Sequence, residues 1–137
     1  MRNQNIYVTV DSVIFYTEAN DEFVLLIQRK NDPFKLKWAL PGGFLEEDED
    51  LAKGAARELK EETGIQVNTL KQLGAFGNPG RDPRGRTISV VYTARLSSRE
   101  EVKAGDDAGD AQWFNLKDLP PLAFDHLEIV HAAKKAV

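Results

Sequence analysis

The stretch GGFLEEDEDLAKGAARELKEETGI, residues 42–65, carries eight carboxylates. A solvated helix would interleave its acids with lysines on an outer face, and this one does not. Over 50–63 the apolar residues Leu51, Ala52, Ala55, Ala56 and Leu59 recur at spacings of three and four, and Gly64 supplies a C-terminal stop. That pattern predicts a helix with one buried stripe. Glu58, Glu61 and Glu62 then stand at i, i+3 and i+4, projecting from one side within about one turn. Three like charges so placed repel unless a cation neutralises them. Oxygen ligands without histidine or cysteine favour Mg²⁺, with Mn²⁺ as a substitute. Mg²⁺ takes part of its coordination shell from substrate phosphates, so the expected chemistry is metal-assisted hydrolysis of a phosphate-containing substrate.

Outward from this helix the chain alternates strand-like and broken segments. Residues 6–16 (IYVTVDSVIFY) and 22–28 (EFVLLIQ) are rich in β-branched and aromatic residues and are parted by the turn-rich TEAND. The following RKNDPFKLKWALPGG is too broken for a regular element and suits a loop over a site. Past the helix, 65–76 and 87–96 read as strands joined by GNPGRDPRGR, and 111–115 as a further short strand. In 124–137, Asp125 is a possible N-cap, and Leu127, Val130 and Ala133 recur on one helical face. The order β-β-loop-α-β-β-β-α implies an α+β fold, an αβα sandwich with a mixed β-sheet packed between helices.

The 137 residues amount to one domain, 1–137, with 42% hydrophobic and 29% charged residues, enough for a real core. With no cysteine, disulfides and thiolate metal sites are excluded, and a reducing cytoplasmic setting is expected. Met1 is followed by the polar RNQN, with no apolar run suited to a signal peptide or membrane span, so no membrane partner is expected. A net charge of −4 opposes broad attraction to nucleic-acid phosphates but permits a locally basic pocket. The expected partner is a small-molecule nucleotide rather than a nucleic acid.

Residues 43–65 resemble the Nudix box, Gly-x5-Glu-x7-Arg-Glu-U-x-Glu-Glu-x-Gly-U with U a bulky aliphatic. Gly43, Glu49, Arg57, Glu58, Leu59, Glu61, Glu62, Gly64 and Ile65 fill every defined position. The resemblance implies a Nudix-type fold and hydrolysis of a nucleoside diphosphate linked to another moiety. It implies Glu58, Glu61 and Glu62 as metal ligands and catalytic residues, joined by the Gly43 carbonyl, with Arg57 and Glu49 as braces between loop and helix. The acids outside the fixed positions, Glu46, Glu47, Asp48 and Asp50, read as favourable charge at a helix N-terminus. A general base is either a box glutamate or a downstream acid. AGDDAGDAQWF supplies Asp106, Asp107 and Asp110, of which Asp107 is the choice because a family acid often lies several residues before a Trp such as Trp113.

KWALPGGF is similar to the family's lead-in to the box, with Leu36 where Gly often precedes the Lys before Trp. GAFGNPGRDPRGRTISVVYTARL, AGDDAGDAQWFNL and LAFDH are similar to the members that act on ADP-ribose, which implies release of AMP and ribose 5-phosphate. Arg81, Arg84 and Arg86, in a Gly/Pro-rich loop, offer fixed planar donors for phosphate or ribose, and Arg29, at the end of the second strand, either reaches a phosphate or sits on the rim. Trp38, with Phe34 and Phe76, could stack on a base or simply pack. His126 is as suited to the surface as to the site. Two alternatives stay open: a pyrophosphohydrolase of nucleoside triphosphates, damaged ones included, and a non-catalytic ADP-ribose-sensing module. Dimerisation is common in the family, so a homodimer is a further expectation.

Overall fold

Two apolar strands, buried on both sides, form the centre of the molecule in a computed structural model that describes residues 4–105 and 108–137. β1 (Tyr7–Glu18) and β2 (Asp21–Arg29) are an antiparallel hairpin. Their near-continuous apolar runs follow from covering on both faces. Because successive side chains in a strand point to opposite faces, Val13, Phe15, Val24 and Leu26 enter one cluster and Ile14, Tyr16 and Leu25 the other.

Each cluster is closed by one helix. α1 (Leu51–Thr63) contributes Leu59, which packs with Ile14, Tyr16, Leu25, Ile65 and Trp113. α2 (His126–Ala136) contributes Ile129, Val130 and Ala133 to the opposite cluster. Full burial of a side chain such as Leu59 or Ile129 stabilises the fold by about 1.5–3 kcal/mol. The result is an α+β sandwich, a mixed sheet between two helices.

The sheet runs β3-β2-β1-β6-β5, with β4 paired to β1 and β7 to β2. β3 (Trp38–Ala39) and β4 (Gly42–Phe44) are short, β5 is Lys71–Phe76, β6 is Thr87–Arg95 and β7 is Ala108–Asn115. The β1–β6 pair is parallel over Tyr7–Phe15, while the other pairs are antiparallel.

Several sequence expectations are revised here. The stretch expected to be only loop contains β3 and β4, since pairing with β2 and β1 satisfies its backbone despite Pro41 between them. The strand expected over 65–76 begins at Lys71. Ile65 instead follows the left-handed Gly64, whose N–H donates to Lys60 O, and is apolar because it packs under α1. Asp125 occupies the N-cap position of α2 but makes no side-chain cap, because both of its oxygens accept from Arg81. Leu127 is 46% exposed; Ile129 takes the place assigned to it. On α1, Ala52 is exposed, and Gly54 and Ala55 lie at the contact.

Candidate active site

A cavity of about 450 Å³ opens where the sheet, α1 and two loops meet. α1 supplies one acidic wall. Taking about 100° per residue, Glu62 lies roughly 40° from Glu58 on one side and Glu61 roughly 60° on the other. That splits the three carboxylates. Glu58 and Glu62 line the cavity, whereas the Glu61 side chain is 56% exposed and accepts from Arg57 Nη1 at 3.2 Å.

The loop glycines set the distance between helix and sheet. Gly42 N–H donates to Glu62 Oε1 at 2.6 Å. A methyl group on Gly43 would lie 2.7 Å from Glu58 Oε1, so only glycine lets the backbone pass so close to that carboxylate. Burial, which disfavours the charged form, raises the Glu58 pKa; Arg57, hydrogen-bonded at 3.0 Å, acts in the opposite direction without cancelling it.

Arg57 ties loop to helix. Its Nε and Nη2 donate to Glu49 Oε2 and Oε1 at 2.8 and 2.7 Å, the two-point geometry of a strong guanidinium–carboxylate pair. Glu49 also accepts Glu46 N–H at 2.9 Å. These bonds, led by Arg57, hold the Glu49 pKa down at about 2. A carboxyl lowered by folding contributes stability that is complete above its ordinary value of 4.5 and is lost as pH falls towards 2. Glu49→Gln is therefore expected to be less stable than wild type at pH 7, with the gap in Tm closing between about pH 4.5 and 2 in thermal melts. A gap that does not change with pH would show that the pair has no ionic component.

The opposite wall is cationic and aromatic. Arg29, from the end of β2, lines the cavity, donates to Pro33 O at 2.7 Å and lies 5.0 Å from the Phe124 ring centroid. Burial lowers its pKa, and neighbouring Arg84 lowers it further. Arg84 also lines the cavity, 4.9 Å from the Phe44 centroid and 5.4 Å from that of Phe124. It is paired with Asp82 at 2.7 Å. Desolvation alone would raise the Asp82 carboxyl, but the bonds from Arg84 outweigh it and the net shift is downward. Arg81 reaches the cavity from the same loop, its guanidinium held by Asp125 at 2.9 and 2.7 Å.

Other residues singled out in the sequence lie elsewhere. Arg86 donates to Gly77 O and braces its own loop, outside the cavity wall. Trp38 stacks edge-on to Phe114 at 4.7 Å, and its backbone pairs with Pro121 and Ala123. Asp107 lies outside the described residues. Conversely, Asp11, Thr9, Asp82 and Phe124 line the cavity without having been singled out. For Asp11 a signal was available: one charged residue inside the apolar run of β1.

The described carboxylates border the cavity without three of them converging at one point. Their chemistry still fits a hard divalent cation. Glu58 is a half-buried carboxylate pressed against a glycine, its charge disfavoured by its surroundings, and Glu62 adds further oxygen donors on the same wall.

The family model described as NUDIX domain matches residues 7–133. An ADP-ribose pyrophosphatase of Methanocaldococcus jannaschii is 47% identical over 123 residues, covering 90% of this chain and 70% of the relative. An ADPR-responsive transcriptional repressor of Acinetobacter baylyi is 39% identical over 130 residues, 92% of this chain but 52% of the repressor. The chain thus spans about half of that protein. The NUDIX domain of Shewanella oneidensis NrtR, solved with ADP ribose, superposes with a TM-score of 0.92 at 37% identity, over 98% of this chain and 90% of that one. With a box complete from Gly43 to Ile65 and a family match over nearly its whole length, the chain belongs to the Nudix family, whose hydrolases use divalent metal ions.

Proposed function

We propose that this chain is a Mg²⁺-dependent hydrolase that cleaves the diphosphate of ADP-ribose to AMP and ribose 5-phosphate. The observation that carries this reading is the facing of two walls: Glu58 and Glu62 on α1 against Arg29, Arg81 and Arg84 across one cavity. Support also comes from the 47% identical pyrophosphatase and from the ADP-ribose-bound NUDIX domain.

In this reading Glu58, Glu62 and the Gly43 carbonyl would hold Mg²⁺, for which Mn²⁺ can substitute, and Glu61, which accepts from Arg57 in this structure, would join them by turning inward. The bound ion supplies Lewis-acid polarisation of the phosphates and a lowered pKa for water. The protein does the rest. Arg29, which makes no ion pair among the described residues, and Arg84 bind the diphosphate oxygens, while Arg81 is held in place by Asp125. Asp107 removes the proton of the attacking water and Arg86 fixes the arginine loop. Water adds at one phosphorus, the bridging P–O bond breaks, and the departing phosphate oxygen takes a proton from solvent. The protein acts on a small nucleotide, without nucleic-acid or membrane partners, in the cytoplasm and as a homodimer.

The repressor relative favours one rival, a sensor that binds ADP-ribose without turning it over. The purified protein with Mg²⁺ would be given ADP-ribose, NADH, ADP-glucose, diadenosine polyphosphates and normal or oxidised nucleoside triphosphates, with products separated by chromatography. Release of AMP from ADP-ribose, stopped by EDTA, is the expected result. Preference for a triphosphate would overturn the substrate, and tight binding of ADP-ribose with no turnover of any compound would move the chain to the sensor class.

A further inference from the structure

Two polar side chains on the inner surface of the cavity belong to neither the acidic nor the arginine wall. His126 is 4% exposed and Asp11 is 6% exposed, and both line the cavity. His126 Nδ1 accepts Leu40 N–H at 3.0 Å. A ring nitrogen that accepts carries no proton, so the neutral imidazole bears its hydrogen on Nε2. Burial lowers the pKa of this ring, with Asp11 acting partly in opposition, and the neutral form is therefore the relevant one. No acceptor among the described residues takes the Nε2 hydrogen.

Asp11 complements it. Its Oδ2 accepts from both Thr9 Oγ1, at 3.0 Å, and Ser89 Oγ. The other oxygen, Oδ1, lies against Gly42, where a methyl group would collide with it. A single cavity therefore presents one N–H donor and one carboxylate acceptor. Phosphate oxygens only accept hydrogen bonds and would be repelled by Asp11, whereas a hydroxyl both donates and accepts. Position narrows the choice further. Gly42 is hydrogen-bonded to Glu62 and adjoins Gly43, which abuts Glu58, so a group reaching Asp11 lies close along the substrate to the phosphorus. In a nucleoside diphosphate derivative that group is a ribose rather than a base.

We propose that His126 Nε2–H and Asp11 Oδ1 together bind a ribose hydroxyl adjoining the diphosphate and so determine specificity for ribosyl substrates. The proposal rests on the hydrolase reading above. The hydroxyl belongs either to the distal ribose or to the adenosine, and two analogues distinguish them: ADP methyl ester lacks the distal hydroxyls, and the 2′,3′-dideoxyadenosine form of ADP-ribose lacks the proximal ones.

His126→Asn keeps an acceptor oxygen near the Nδ1 position for Leu40 N–H and removes the Nε2 donor. Asp11→Asn, a second variant acting from a different strand, turns the acceptor towards a donor. The readout is the ratio of kcat/KM for ADP-ribose to that for each analogue, with Mg²⁺ present, alongside Tm. Each variant is expected to lower the ratio about tenfold for the analogue that lacks the contacted hydroxyl, and to leave it at the wild-type value for the other. A merely structural role would depress all three substrates alike and keep both ratios at their wild-type values in both variants, which would overturn the proposal. Wild-type protein that releases no AMP from ADP-ribose would instead sink the parent reading, an outcome visible before any variant is made.

Discussion

Glu62→Gln is expected to lower kcat for ADP-ribose by about 10²- to 10⁴-fold with Mg²⁺ present while leaving the fold intact. The two effects separate because the glutamine carbonyl oxygen can still accept Gly42 N–H, the bond Glu62 Oε1 makes at 2.6 Å. What is lost is charge at a position facing the cavity. Glu58→Gln should cause a similar loss of rate with a different stability signature. Burial raises the Glu58 pKa, so its ionisation above the ordinary 4.5 opposes folding, and stability falls as pH rises from 4.5 through the raised value. Glutamine removes that dependence and retains an acceptor for Arg57. The Glu58→Gln protein is thus expected to melt at or above the wild-type Tm at pH 7 while being nearly inactive. Steady-state AMP release and calorimetry on the same preparations check both. A Glu58→Gln protein that is inactive and also clearly less stable would mean that the carboxylate is a structural anchor.

The acidic helix was legible in advance because its information is local. Helical spacing places Glu58, Glu61 and Glu62 within one turn, and Gly64 ends the helix where expected. What spacing alone left open was which two of the three face inward. That depends on where β4 crosses α1, and hence on Gly42 meeting Glu62. The remaining walls were less legible because they are assembled at long range. Arg81 is held by Asp125, 44 residues away, and Asp11 is buried beside Ser89, 78 residues away. A propensity reading of 65–76 likewise treats Ile65 as strand-forming, although its neighbour in space is Leu59 beneath the helix. The same holds for α2, where Leu127 and Ile129 are both apolar and only packing decides which one is buried.

Gly42→Ala and Gly43→Ala, adjacent and chemically identical changes, are expected to fail in different ways. In β4, Gly42 is paired with Asp11 of β1, and a methyl there would collide with the Val10 carbonyl oxygen as well as with Asp11 Oδ1. The first obstacle is backbone, and no rotamer relieves it. β4 must move away from β1, at a cost of about 1–3 kcal/mol or more, the range for forcing extra methyl groups into packed sites. At roughly 4 °C per kcal/mol, Tm should drop by about 4–12 °C. Displacing β4 also breaks the Gly42–Glu62 bond, and a shift of about 1 Å in a catalytic group can cost on the order of 10²-fold in rate. At Gly43 the nearest atoms to the methyl are all those of the Glu58 carboxylate, at 2.7–2.8 Å, the end of a side chain that can rotate away. Gly43→Ala should therefore keep Tm near wild type yet lose activity, because the carboxylate that moves is the one the cavity needs. Melting curves and AMP release on the two proteins decide the matter. Equal destabilisation by both would mean that the loop cannot yield at either glycine and that Glu58 is as rigid as the backbone of β1.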